Sequence, residues 1–173
     1  TFTVTAGHSY LDPGAVAPDG QREEALMTEL RDIVASKLRL AGHTVRTDGG
    51  WRHNLPLANA IALIPGSAAA IELHTNAAAN PKATGVEVVS LPAQRELART
   101  IARRIAHTLE LPVRGAGGWI DQSQTARGRL GFVRAGGLVV ECFFLSNPTD
   151  LTRYTERKWM VASAIVAALT GPL

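Results

Sequence analysis

Two rhythms alternate along this chain. Short apolar stretches of four to eight residues are separated by longer stretches whose apolar residues recur every three or four positions. The first rhythm is that of a strand and the second that of a helix. Read in order, residues 1–6 are a half-buried strand, 21–41 a helix, 44–47 a strand and 55–65 a short helix. Residues 68–74 and 84–91 are strands, 93–110 a helix, 138–144 the most apolar strand, and 156–169 a closing helix. A Gly- and Arg-rich loop over 112–131 is expected to carry short strands at 118–120 and 131–134, and 146–150 starts a helical turn. Strands interleaved with helices demand a layered α/β fold. The chain is therefore expected to form one domain over 1–173, with a mostly parallel or mixed central sheet and helices on both faces.

Within that frame, the helix over 21–41 carries its core stripe on Leu26, Leu30, Val34, Leu38 and Ala41, and Gly42 follows as its cap. The closing helix is expected to turn Trp159, Ala162, Ile165, Val166 and Leu169 inward. The lone Cys142 excludes an internal disulfide, and no apolar run reaches the roughly 18 residues of a membrane helix. A net charge of +3 suits work near an anionic polymer without demanding nucleic acid, and none is expected as a partner. The N-terminal residues read as a strand rather than a signal segment.

Polar residues stand out where strands end. In Ile71-Glu72-Leu73-His74-Thr75-Asn76-Ala77 the strand is expected to give out at His74, and open α/β sheets place their ligand crevice at such carboxyl ends. A single histidine there is more often structural than a ligand. His8, however, also follows a strand end, ahead of the turn-forming Asp12-Pro13-Gly14, where Asp12 reads as a turn former. Glu23 and Glu24 occupy the first turn of the first helix. At about 100° per residue Glu23 falls near the middle of the apolar stripe and Glu24 to its side. An acid on a buried face needs a partner, whereas the helix dipole alone accounts for Glu24. Glu141 is the one carboxylate of the most apolar strand, where burial raises a pKa towards the range useful for proton transfer. His53 lies in a loop and reads as a surface or substrate-loop residue.

Two histidines and a carboxylate make a catalytic zinc set with a fourth position free. Such a metal lowers the pKa of a water and polarises a carbonyl, while a second carboxylate outside its shell moves the proton.

Four segments, in order, resemble the zinc-dependent N-acetylmuramoyl-L-alanine amidases of the Amidase_3 type. They are Ala6-Gly7-His8 with Asp12-Pro13-Gly14-Ala15, the acid opening the helix that ends in Ala41-Gly42-His43-Thr44-Val45, Ile71 to Ala77, and Val139-Val140-Glu141-Cys142-Phe143-Phe144-Leu145-Ser146-Asn147. The resemblance spans nearly the whole chain. It implies His8, Glu23 and His74 as ligands of one zinc ion, with Glu23 and Glu24 the adjacent choices for the middle ligand, and Glu141 as catalytic acid/base. Asn76 occupies the family's His-x-Asn position. Ser9-Tyr10-Leu11 stands where many relatives carry glycines, and Cys142 replaces a small or aliphatic residue. The implied reaction cleaves the amide between N-acetylmuramic acid and L-alanine in peptidoglycan. Arg114, Arg127 and Arg129 are candidate anchors for stem-peptide carboxylates. Rival readings are a zinc carboxypeptidase-like or N-acyl amino acid amidohydrolase, and a non-catalytic wall-binding module. A monomeric lysin made in a host cytoplasm and acting on the wall is expected, with a secreted or periplasmic enzyme as the alternative.

Overall fold

The computed structural model describes residues 1–126 and 128–171. Six strands form one sheet: β1 (Phe2–Ala6), β2 (Val45–Arg46), β3 (Ala69–Asn76), β4 (Glu87–Ser90), β5 (Trp119–Asp121) and β6 (Leu138–Phe144). Their order is β2-β1-β3-β6-β4-β5. The first four run parallel, β4 is antiparallel to β6, and β5 is parallel to β4. The carboxyl ends of β1, β3 and β6 therefore share one edge with the amino end of β4. The sheet is mixed, as expected.

Among the described residues five helices cover the two faces: α1 (Glu23–Leu40), α2 (Leu57–Ala62), α3 (Arg95–Leu109), α4 (Gly131–Arg134) and α5 (Pro148–Thr170). On one face Val4, Ile71, Leu73, Val88, Leu138 and Val140 pack against α1, α3 and α5. On the other Ala70, Val89 and Val139 pack against Ala60 of α2 and Phe132 and Val133 of α4. The two-residue alternation of each strand sends successive side chains to these two layers. No helix of the described residues is long and apolar enough to cross a membrane.

Three local expectations are corrected. Residues 131–134 are α4, not a strand. Phe132 and Val133 are neighbours and both are buried under α2, which a helical turn allows and strand alternation does not. The closing helix begins at Pro148 rather than 156, capped by Asn147, whose side chain accepts from the amides of Thr149 and Asp150. Its inner face runs through Tyr154, Val161, Ala162 and Ile165. Trp159, about 140° around the helix from Tyr154 at the standard 100° per residue, is 59% exposed rather than inward. Finally, β3 runs past His74 to Asn76, with a register shift between these two residues against β6. Pairing with β6 holds the extended backbone there despite the polar residues.

Candidate metal centre

His8, Glu23 and His74 come from three elements that meet at the common edge. β1 ends at Ala6, and His8 follows in a left-handed conformation, φ 65°. That conformation costs a non-glycine residue energy and is held by its surroundings. The Asn54 amide group donates to the carbonyls of Ala6 and His8, each at 2.7 Å. Asn54 in turn accepts from Arg31 of α1, a guanidinium fully buried among Asp32, Asp48 and the loop carbonyls of Gly50 and His53. Burial pushes the Asp48 carboxyl up to about 6, against the pull of Arg31.

Glu23 sits in the first turn of α1 between the two imidazoles. Its Oε1 accepts from His74 Nδ1 at 3.1 Å and from the Thr75 amide at 2.9 Å. Its Oε2 accepts from the Ala15 amide at 3.0 Å and lies 3.3 Å from His8 Nε2. Burial works to raise this carboxyl's pKa, but the hydrogen bonds from His74 and His8 outweigh it and hold the group well below the usual carboxylate range. Glu24 is also buried, but its carboxylate lies 3.5 Å from Arg22 instead.

One ligand-type atom from each of His8, Glu23 and His74 lies within 4.8 Å of the other two. Two glycines make the space. A Cβ on Gly7 would sit 2.0 Å from the His74 ring, and one on Gly14 would sit 2.6 Å from both Glu23 and His8. Two imidazole nitrogens and a carboxylate oxygen in a shared pocket fit a divalent cation of the zinc type. The outer ring nitrogens face carboxylates as well. His8 Nδ1 donates to Asp12 at 2.9 Å, and His74 Nε2 donates to Glu72 at 3.0 Å. With acceptors on both sides, the His8 pKa is raised, first by Glu23, against burial. Burial works against a charged His74, yet Glu23 and Glu72 together hold its pKa well above the ordinary value.

Glu141 pairs in register with His74 across β3 and β6, and with Glu87 across β4. Its Oε2 is buried and meets no hydrogen-bond partner among the described residues. Burial pushes its carboxyl up to about 7, opposed by the charges of His74 and His8 and aided by those of Glu23 and Glu87. A carboxyl with that pKa can both take and give a proton near neutrality. Asn76 and Arg114 act together on Glu87: Asn76 donates to its Oε1 at 3.1 Å and Arg114 to its Oε2 at 2.6 Å. Arg114 also lies over the Phe144 ring. Arg129 is exposed in the loop before α4 and, among the described residues, shares no hydrogen bond with these pairs, and Arg127 lies outside the described residues. His53 is exposed and stacks on Tyr10 beside His8.

Sequence reasoning missed Glu72, Glu87, Asn54 and Arg31. Glu72 had one readable signal, its i, i+2 spacing from His74 on the same strand face. Asp12 is the turn former that the sequence predicts. It does accept from the Gly14 amide at 3.2 Å, and it holds His8 besides.

The N-acetylmuramoyl-L-alanine amidase family model Amidase_3 matches residues 3–171. This chain belongs to that family. Among solved structures, a protein of Neisseria meningitidis assigned as an N-acetylmuramoyl-L-alanine amidase is 43% identical, with a TM-score of 0.88 over 96% of this chain and 92% of that one. The catalytic domain of the amidase CwlV from Bacillus (Paenibacillus) polymyxa var. colistinus shares the fold at 19% identity, with a TM-score of 0.82 over 98% and 96% of the two chains. The catalytic domain of the CD27L endolysin does so at 22% identity, with a TM-score of 0.66 over 97% and 95%. No curated protein matches the chain. Amidase family membership and the mixed-sheet fold agree with the resemblance carried by the four sequence segments.

Proposed function

We propose that this amidase-family chain hydrolyses the amide between the lactyl group of N-acetylmuramic acid and L-alanine of the peptidoglycan stem, with one zinc ion held by His8, Glu23 and His74 and with Glu141 as the acid/base. The observation that carries the reading is the convergence of His8, Glu23 and His74 within 4.8 Å, next to a carboxyl in register with His74. Bound there, zinc supplies a water of lowered pKa and polarises the amide carbonyl. Glu141 accepts the proton released as a water attacks, and returns it to the departing alanine nitrogen. Its pKa, pushed up to about 7, suits both transfers. Asn76 and Arg114 pin Glu87 beside Glu141, keeping that negative charge in place. Arg114 and the exposed Arg129 are offered to stem-peptide carboxylates, and Arg114 keeps a partly exposed guanidinium for that contact.

The test digests purified murein with the wild-type chain and with Glu141→Gln, and measures bound metal in parallel. The wild type is expected to hold one zinc and to release intact stem peptides from glycan bearing free lactyl carboxyls. Glu141→Gln is expected to hold the same zinc and to lose at least about 100-fold in rate, the usual share of a general acid/base. Shortened stem peptides would point to a carboxypeptidase-like hydrolase instead, and a fully active Glu141→Gln would overturn the mechanism.

A further inference from the structure

Glu72 is a buried carboxylate whose place in the sheet gives it no structural reason to be there. It lies in the middle of β3 and pairs with Thr5 of β1 on one side and Val139 of β6 on the other. Its side chain is 6% exposed. Among the described residues it pairs with no Lys or Arg. Its one side-chain hydrogen-bond partner is His74, whose Nε2 lies 3.0 Å from Oε2. Burying a carboxylate is costly unless it is paired, and a leucine in this position would incur no such cost.

The strand supplies the reach. Residues i and i+2 project from the same face, so the Glu72 carboxylate meets the far edge of the His74 ring while Nδ1 points at Glu23. An ionised carboxylate only accepts, so Glu72 holds a hydrogen on Nε2, and Nδ1, which donates to Glu23 in the metal-free protein, is the nitrogen left to give up its hydrogen when a cation binds. We propose that Glu72 is a positioning residue that fixes His74 in the Nε2–H tautomer and so presents Nδ1 to the metal. Asp12 makes the matching contact on His8, but its side chain is 66% exposed and water competes for it. The buried Glu72 meets no such competition, and it is the stronger of the two supports.

This inference rests on zinc binding by His8, Glu23 and His74. The experiment compares zinc affinity, by chelator competition, in wild type, Glu72→Leu and Glu72→Gln, and follows thermal unfolding of each metal-free protein. Glu72→Leu is expected to unfold at the wild-type temperature or above it, while binding zinc about 10- to 100-fold more weakly, the usual cost of losing the partner of a ligating histidine. Glu72→Gln keeps an accepting oxygen and is expected to recover most of that loss. A long-range nitrogen-15 correlation spectrum of the zinc-loaded wild type is expected to show the His74 hydrogen on Nε2. Wild-type affinity in a folded Glu72→Leu would overturn the role, as would a hydrogen on Nδ1, and the spectrum decides if that variant fails to fold. A wild type that binds no zinc would instead defeat the proposed function itself, so the two failures are distinguishable.

Discussion

At the scale of single residues, the site is a chain of carboxylates around two imidazoles. Glu23 joins the rings on their inner side, and Asp12 and Glu72 hold them from outside. Glu141 differs from all three, because no hydrogen bond from the described residues reaches its buried Oε2 and burial outweighs the charge of His74, raising its pKa from 4.5 to about 7. Its folded form thus holds a proton more tightly than the unfolded chain does. That contribution to stability is present at low pH and is lost as pH rises through the interval between those values. Replacing Glu141 by Gln removes this pH dependence. In metal-free protein the melting temperature of Glu141→Gln should gain on the wild type as pH rises from 4.5 to 7, then keep a constant lead. Calorimetric melts across that range check this, and a lead that does not vary with pH would show that Glu141 is not held protonated. Residue types were legible in the sequence here, because an acid alone in an apolar strand is conspicuous. Glu72 was not, because its meaning depends on which edge of the His74 ring faces the metal.

At the scale of elements, α1 does two separate things. Its first turn delivers Glu23, and its third turn sends Arg31 into the loop over 48–54, where Asn54 clasps the end of β1. The left-handed His8 therefore depends on a guanidinium of another element. Arg31→Met leaves Asp48 and Asp32 buried without their partner and should cost about 3–5 kcal/mol, the usual loss on breaking a buried ion pair. Urea unfolding at pH 8 measures it. The loss should shrink at pH 5, because Asp48, already pushed up to about 6, then takes a proton and sheds its charge. An unchanged loss would place the stabilisation elsewhere in the network. The helix itself was plain in the sequence from its three-and-four spacing. That Arg31 points inward was not, since arginine on a helix flank ordinarily reads as solvated surface.

At the scale of the whole molecule, the site ties the carboxyl ends of two neighbouring strands to the start of α1, so a bound ion reinforces elements already joined by the Glu23 hydrogen bonds to His74 and Thr75. Zinc at about a thousand times its Kd should add about 4 kcal/mol to stability, which for a domain of this size is a rise of on the order of 10 °C in Tm. Chelation should reverse it, and in a His74→Ala variant the zinc-induced rise should vanish. What the sequence by itself determined is the set of local periods and, through four ordered segments, the family and the residue types of the site. Period-two and period-3.6 patterns are set by neighbours within one element, so they survive without tertiary information. What only the tertiary structure decided is distance. His74 and Glu23 are 51 positions apart, and their 3.1 Å contact exists because β1 and β3 pair in parallel with α1 packed across them. The same holds for α4, the reversed direction of β4, and the far-side carboxylate on His74. Each is settled by what an element packs against, and no local pattern encodes that.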